Sequence, residues 1–366
     1  MSAAERWTAE GGRTVILGGA GFIGSNLADH YLSEGRSVRV VDNLARPGVV
    51  HNLRWLQARH GSRLEVMMAD VRDAYAVKQA MLGATQVFHF AAQVAVTTSL
   101  ETPVTDFEVN AGGTLNVLEA LRAMEHPASL VFTSTNKVYG NLSGLELVQG
   151  PSRYEPRDAR LRSQGVGEGC PLDFESPYGC SKGAADQYVL DYARAYGLRT
   201  VVFRMSCIYG PRQFGTEDQG WVAHFLLRAL EGQPLTLYGD GKQVRDILDV
   251  KDLVRALALA QQHIGRLKGQ AFNIGGGPGR TVSLLELLGL ITQRTGLRPA
   301  VEFEGWRTGD QRYYVSDTRK FQAATGWAPQ VGVREGVDRL HDWLRTLVRE
   351  QPAGAGLGAS REAHAG

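Results

Sequence analysis

One feature constrains this chain most: the alternation of two kinds of segment up to about Arg204. TVIL, SVRVV, LEVMM, QVFHF, SLVFT and TVVFR are short, apolar and rich in β-branched or aromatic side chains. Amphipathic stretches follow most of them, among them SNLADHYLSEG and TLNVLEALRAM. Strands apolar on both faces need cover on both, and helices with one apolar stripe supply it. The repeated order predicts an α/β fold, a Rossmann-type doubly wound parallel sheet spanning residues 13–204. After Arg204 the pattern loosens. Helices near Trp221–Glu231, Leu284–Arg294 and Val333–Leu347 alternate with short strands and Gly-rich loops. A smaller α/β substrate-binding lobe over 205–348 is expected, with parts of 239–275 crossing back to complete the sheet. Residues 1–12 and 349–366 are small and polar and are expected as disordered tails. The segment 141–175 has many Gly, Pro and Arg residues and weak periodicity. It is long for a loop, so it is expected to be functional or mobile.

The bulk numbers narrow the function classes. The chain has 366 residues, 43% of them hydrophobic, enough for a sizeable core. Forty basic residues against 38 acidic ones leave a charge of +2, no general footprint for nucleic acid or an anionic membrane. A few local Arg residues would still suffice for a small anion. Cys170, Cys180 and Cys207 are spaced neither as a disulfide framework nor as metal ligands, so free thiols and no metal are expected. No apolar run is long enough to span a bilayer, and MSAAERWTAEGGR lacks a charged-then-apolar signal layout. A cytoplasmic location is the expectation.

TVIL runs straight into GGAGFIGSNLADHYL. Gly18, Gly21 and Gly24 stand at three-residue intervals between a strand and a helix, with Phe22 and Ile23 among them. Glycine lets the backbone turn tightly and approach a pyrophosphate, whose charge the helix N-terminus favours. Spacing alone is a weak signal. Asp42 strengthens it: it ends the next strand, where a carboxylate accepts the adenosine ribose hydroxyls, with Asn43 beside it. A carboxylate there repels a 2′-phosphate, so NAD is predicted over NADP. Arg46 is read as a solvated loop charge. Asp70 and Val71 follow the third strand, where an adenine would lie. Ala91 and Ala92 follow the fourth, small enough for close approach to a cofactor.

Two further segments carry the chemistry, TSTNKVYG (Thr133–Gly140) and YGCSK. The second places Tyr178 four residues before Lys182, one turn apart on one helix face. Free tyrosine titrates near 10 and is a poor base at neutral pH; an adjacent cation favours the phenolate. The phenolate can take the proton of a sugar hydroxyl while carbon-bound hydride moves to a nicotinamide. Ser176-Pro177 reads as an N-cap and first helical residue, which sets Tyr178 at the helix start. Thr135 would hold the reacting oxygen, with Ser134 beside it. His89, at a strand end, reads as a packed residue. Trp221 reads equally as core or as substrate wall.

With these residues in place, the chain resembles the extended short-chain dehydrogenase/reductase family over about Thr14–Leu347. The resemblance rests on GGAGFIG, the Thr135–Tyr178–Lys182 set, GDGKQVRDILDVKD, WRTGDQRYYVSDTRKF and GWAP. It implies bound NAD and a nucleotide-diphosphate sugar. QVAVTTS, DFEVNAGGTLN, STNKVYG, DFESPYGCSKGAADQYVLDYAR and RQFGTEDQGWV narrow it to members that invert C2 of a CDP-linked 3,6-dideoxyhexose. A 4-epimerase on a UDP-sugar is the enzymatic alternative. An NAD-binding redox sensor without turnover is a third, against which the intact Tyr178–Lys182 pair speaks. Sugar-nucleotide 4,6-dehydratases resemble this chain but carry Asp-Glu where it has Asn136-Lys137. Asn supplies no strong acid and Lys puts a cation in place of Glu, so water loss is disfavoured. By family position Arg245 and Arg312 are expected on the diphosphate, with Arg212 a third. Tyr238 is expected against the ribose or base. Cys207 stands where many relatives have Asn and is a poor donor. Ser134, Asn136 and Lys137 complete the expected substrate contacts. The family also implies a homo-oligomer, dimer or tetramer, through helices Pro103–Met124 and Pro177–Tyr196.

Overall fold

The computed structural model describes residues 12–350, so the tails expected at 1–12 and 349–366 lie almost wholly outside the described residues. Seven strands form the central sheet: β1 Arg13–Leu17, β2 Val38–Asp42, β3 Leu64–Met68, β4 Ala84–His89, β5 Ser129–Thr135, β6 Thr200–Met205 and β7 Gln270–Ile274. Their order is β7-β6-β5-β4-β1-β2-β3, and every pair is parallel. Side chains alternate across a strand, so Ile16 enters one apolar core and Val15 and Leu17 the other. Helices α1 (Phe22–Ser33) and α2 (Val49–His60) cover the first face through Leu27, Leu32 and Leu53. Val117, Leu121 and Val189 cover the second. The order in which strands are added reverses between β1 and β4, and crevices at such switch points are where open α/β sheets bind ligands.

The chain beyond β6 builds a second lobe and returns twice. Strands 207–209, 244–249, 281–283 and 313–314 form one small sheet, and 235–238 pairs with 301–304. Helices Trp221–Leu230, Leu284–Thr295 and Val333–Glu350 close a third core around Leu226, Leu237, Leu287 and Leu340. Helix Val250–Gln262 goes back to the first lobe and buries Leu253 and Leu257 there, and β7 then extends the sheet.

Two expectations change. Segment 141–175 is an ordered strap. It contains an antiparallel hairpin, 147–149 with 154–156, and a helix Ala159–Gln164 capped by Asp158. Arg153 pairs with Glu286, the Tyr154 hydroxyl donates to Asp240, and the Asp173 amide donates to the Val138 carbonyl at 2.9 Å. Its polar groups find partners far along the chain, which periodicity cannot reveal. The helix expected over Pro103–Met124 is interrupted by one wide turn, Glu108–Gly112, flanked by α-helix at Pro103–Phe107 and Gly113–Arg122. That turn buries Asn110, whose amide donates to Asp106 and, at 3.0 Å, to Ser181 on the long helix α3 (Ser176–Tyr196).

Candidate active site

The turn after β1 forms a cradle only glycine permits. Gly18 has φ +76°, and a Cβ there would lie 2.6 Å from the Ala91 amide nitrogen. A Cβ on Gly24 would run into the Gly18 carbonyl. No side chain caps the first turn of α1 after Gly21, so its amides point toward the space a pyrophosphate needs. Asp42 ends β2 and accepts the Ala20 and Leu44 amides at 3.0 and 2.9 Å. Burial raises its pKa; the amides and Arg46 lower it. Arg46 is exposed, as a solvated loop charge would be, and its charge also favours the ionised forms of both Asp42 and Tyr178. Asp70 accepts from Asn43 at 2.9 Å and pairs with Arg72, which holds its carboxyl well below the usual range. Val71 packs on Gly113. These residues fit a dinucleotide along the carboxyl edge of β1 to β4.

Thr133, Ser134 and Thr135 end β5 and are buried. Thr135 caps the short turn Asn136–Tyr139, accepting the Lys137 amide at 3.2 Å. The Ser134 hydroxyl is buried without a partner. Helix α3 begins as expected: Ser176 lies outside the helical region at φ +64°, its hydroxyl accepting the Gly179 amide at 3.3 Å. The Tyr178 amide donates to Ser99 at 3.2 Å, and Arg204 holds the helix to β6 through a two-pronged pair with Asp186, both bonds 2.9 Å. Thr135 lies within hydrogen-bonding reach of the Tyr178 oxygen.

The electrostatics depart from the simple Tyr–Lys picture. Burial pushes the Tyr178 phenol up to about 12, against the lowering effects of Thr135 and Arg46. Lys182 sits one turn on, but its amine donates to the Thr133 carbonyl at 2.7 Å and lies 4.3 Å from the Phe132 ring centre. Burial lowers it to about 7, with Asp186 and Asp106 opposing. A buried ammonium must take the acceptor available, here the end of β5 rather than the phenol. A stability prediction follows. The folded protein holds Lys182 neutral above about pH 7 while the unfolded chain stays protonated to its ordinary value near 10.5. The unfolded state therefore binds more protons in that window, and stability contributed by this group rises with pH across it. Denaturant melts of nucleotide-free protein at pH 6.5 and 9.5 should show a smaller rise for Lys182→Met than for wild type; an equal rise would contradict the burial of the charge.

The two lobes enclose a cleft of about 580 Å³. Phe22, Ile23, Ala92, Ser134, Thr135, Asn136, Lys137, Tyr178, Lys182, Cys207, Tyr238 and Arg245 all line it. Asn136 donates to Gln311 at 3.1 Å, and Lys137 donates to the Gly309 carbonyl at 3.0 Å. Burial, then Arg245, lowers Lys137 to about 8. Arg245 is buried and pairs with Asp310 at 3.1 Å. Trp221 belongs to the wall, its indole N–H donating to the Cys207 sulfur at 3.3 Å. His89 is fully buried, bonded to Thr114, and pushed down to about 3 by burial.

Two expected arginines lie elsewhere. Arg212 is stacked 3.8 Å from the Trp55 ring centre, joining α2 to the second lobe rather than lining the cleft. Arg312 is exposed, its guanidinium 5.3 Å from the Trp306 ring centre and 5.6 Å from that of Tyr154. Gln311, Tyr313, Tyr314 and Val315 are all buried, and Arg312 is the residue of this run left exposed. Arg307, in the same WRTGDQR stretch, lines the cleft instead. It was missed with Glu217, Asp218 and Gln243, and no local pattern separates it from Arg312.

A Rossmann sheet with a glycine cradle and a buried tyrosine in the cleft between two lobes defines a dinucleotide-dependent enzyme class. The chain belongs to the NAD dependent epimerase/dehydratase family, whose model matches residues 14–275. NAD is thus its cofactor. It is 43% identical to the CDP-paratose 2-epimerase of Salmonella typhi, over 92% of this chain and all of that protein. Among solved structures, UDP-glucose 4-epimerase of Thermus thermophilus, in complex with NAD, is 35% identical with a TM-score of 0.74, covering 91% of this chain and 99% of that one. The enzyme of the same name from Thermotoga maritima, with UDP-glucose, is 30% identical with a TM-score of 0.77, covering 92% and 99%.

Proposed function

We propose that the protein converts CDP-paratose to CDP-tyvelose by transient oxidation at C2 of the sugar. The likeness along the whole length of the Salmonella typhi enzyme carries this reading. When bound, NAD supplies the acceptor and donor of hydride. Tyr178 takes the proton of the C2 hydroxyl and returns it, while Thr135 holds the same oxygen. Of this chain's groups, Arg46 carries the positive charge that opposes the effect of burial on the phenol. Lys182, with one carbonyl bonded, has donors left for the nicotinamide ribose. The 2-keto sugar must expose its other face before hydride returns. Asn136 and Lys137 offer no carboxylic acid at the end of β5, which fits epimerisation without water loss. Residues 13–204 with β7 hold the cofactor, and 205–348 mainly the nucleotide sugar. No helix among the described residues is long and apolar enough to cross a membrane; with three free cysteines, a cytoplasmic location is part of the proposal.

Product NMR with CDP-paratose and UDP-galactose tests it. Deuterium at C2 should remain in the CDP-tyvelose formed. Loss of that label to solvent would overturn hydride return, and inversion at C4 of the UDP-sugar alone would favour the 4-epimerase reading. No turnover of either would leave an NAD-binding sensor. The assembly proposed is a homo-oligomer, most simply a dimer. Val104, Phe107 and Tyr188 expose large apolar side chains on the helices expected at its interface. A monomer by sedimentation at micromolar concentration would refute it.

A further inference from the structure

We propose that Glu217 and Asp218 read the nucleobase, favouring a pyrimidine with a 4-amino group over one with a 4-oxo group. The inference rests on reading the cleft as a nucleotide-sugar site. Both acids stand on the loop before helix Trp221–Leu230 and line the cleft beside Tyr238 and Arg307, with Trp306 in the same lining. The start of this loop is pinned from the first lobe: Asn26 donates to the Pro211 carbonyl at 3.0 Å and Asn52 to the Arg212 carbonyl at 3.1 Å. Phe214 packs edge-on against Trp343. The acids are therefore presented at a set place, yet they are 47% and 36% exposed and able to change partners.

The cation they share is one the ligand needs, and Glu217 also accepts from the Tyr238 hydroxyl. Arg307 pairs with Glu217 at 3.2 Å and Asp218 at 3.3 Å, and its guanidinium lies 3.6 Å from the Tyr238 ring centre. A diphosphate offers the same guanidinium a doubly charged, bidentate acceptor. Once it takes Arg307, both carboxylates lose their cation, Asp218 entirely and Glu217 down to the Tyr238 hydroxyl, and a carboxylate can only accept. Gln243 adds a third acceptor. Its Nε2 donates to the Tyr238 carbonyl at 2.7 Å, so its oxygen must be the atom turned away, and that oxygen is buried without a partner. This end of the site asks its ligand for donors. Cytosine carries the 4-amino donor; uracil sets an acceptor in its place. A site built for a hydrogen-bonding group rejects the analogue lacking it far more strongly than one discriminating by shape.

The test is calorimetry of CDP and UDP with the NAD-loaded full chain at one ionic strength. Wild type should bind CDP at least tenfold tighter than UDP. Glu217→Gln with Asp218→Asn, which adds donors while keeping shape, should bring the ratio close to one by weakening CDP and strengthening UDP. An unchanged ratio, or equal tightening of both nucleotides because the acids merely compete for Arg307, would overturn the inference. Turnover of CDP-paratose by a protein whose ratio ignores both substitutions sinks this inference alone. Failure to turn over CDP-paratose sinks the functional reading, whatever the ratio.

Discussion

Tyr178→Phe should lower epimerisation by about a thousandfold, the middle of the range for losing a positioned acid–base group. The ring stays in its buried place at the start of α3, because the hydrogen bond from the Tyr178 amide to the Ser99 hydroxyl and the Arg204–Asp186 pair hold the helix independently of the phenol oxygen. CDP binding and bound NAD should therefore be nearly unchanged, so the loss falls on turnover rather than on affinity. Thr135→Val should cost less, since it removes a positioning hydrogen bond and leaves the base. Turnover of Tyr178→Phe within tenfold of wild type would remove Tyr178 from the mechanism. The high phenol pKa in the ligand-free cleft adds a second readout. If positive charge gathered at the site brings Tyr178 into range, turnover should rise with pH until the phenol is ionised, and the rising limb should vanish in the variant.

Arg245→Ala should raise the Michaelis constant for the nucleotide sugar strongly, and Arg307→Ala somewhat less. Removing one partner of a buried charge pair costs about 2–5 kcal/mol of binding, where each 1.4 kcal/mol is tenfold. Arg245 is buried beside Asp310, so it belongs at the upper end; Arg307 is partly exposed and already shared with Glu217 and Asp218, so it belongs at the lower. Arg312→Ala should change the constant by less than about threefold, because that side chain points out of the cleft between two aromatic rings. Spectra of bound NAD should be unaffected in all three. A large effect at Arg312 with none at Arg307 would reverse this assignment and restore the one expected from family position.

What could be read along the chain was local. Strand and helix periods placed six of the seven strands of the sheet to within a few residues; the seventh, Gln270–Ile274, was expected only as part of a stretch 239–275 crossing back. Glycine's tolerance of positive φ marked the cradle at Gly18, and Ser176-Pro177 marked the start of α3, because each of these depends on a residue and its near neighbours. The cleft's composition was half legible for the same reason: Thr135, Asn136, Lys137 and Tyr178 follow from strand and helix ends. What tertiary structure alone decided depends on groups far apart in sequence. Asn136 meets Gln311 and Lys137 meets Gly309 across separations of 175 and 172 residues. The strap 141–175 is ordered by Glu286 and Asp240, and the Lys182 amine turns to Thr133 rather than to the phenol. Arg307 rather than Arg312 faces the cleft because its segment lies against the Glu217–Asp218 loop and Tyr238. Burial raises Tyr178 and lowers Lys182 in a way no spacing could show, since desolvation belongs to the assembled interior and not to any segment of the chain.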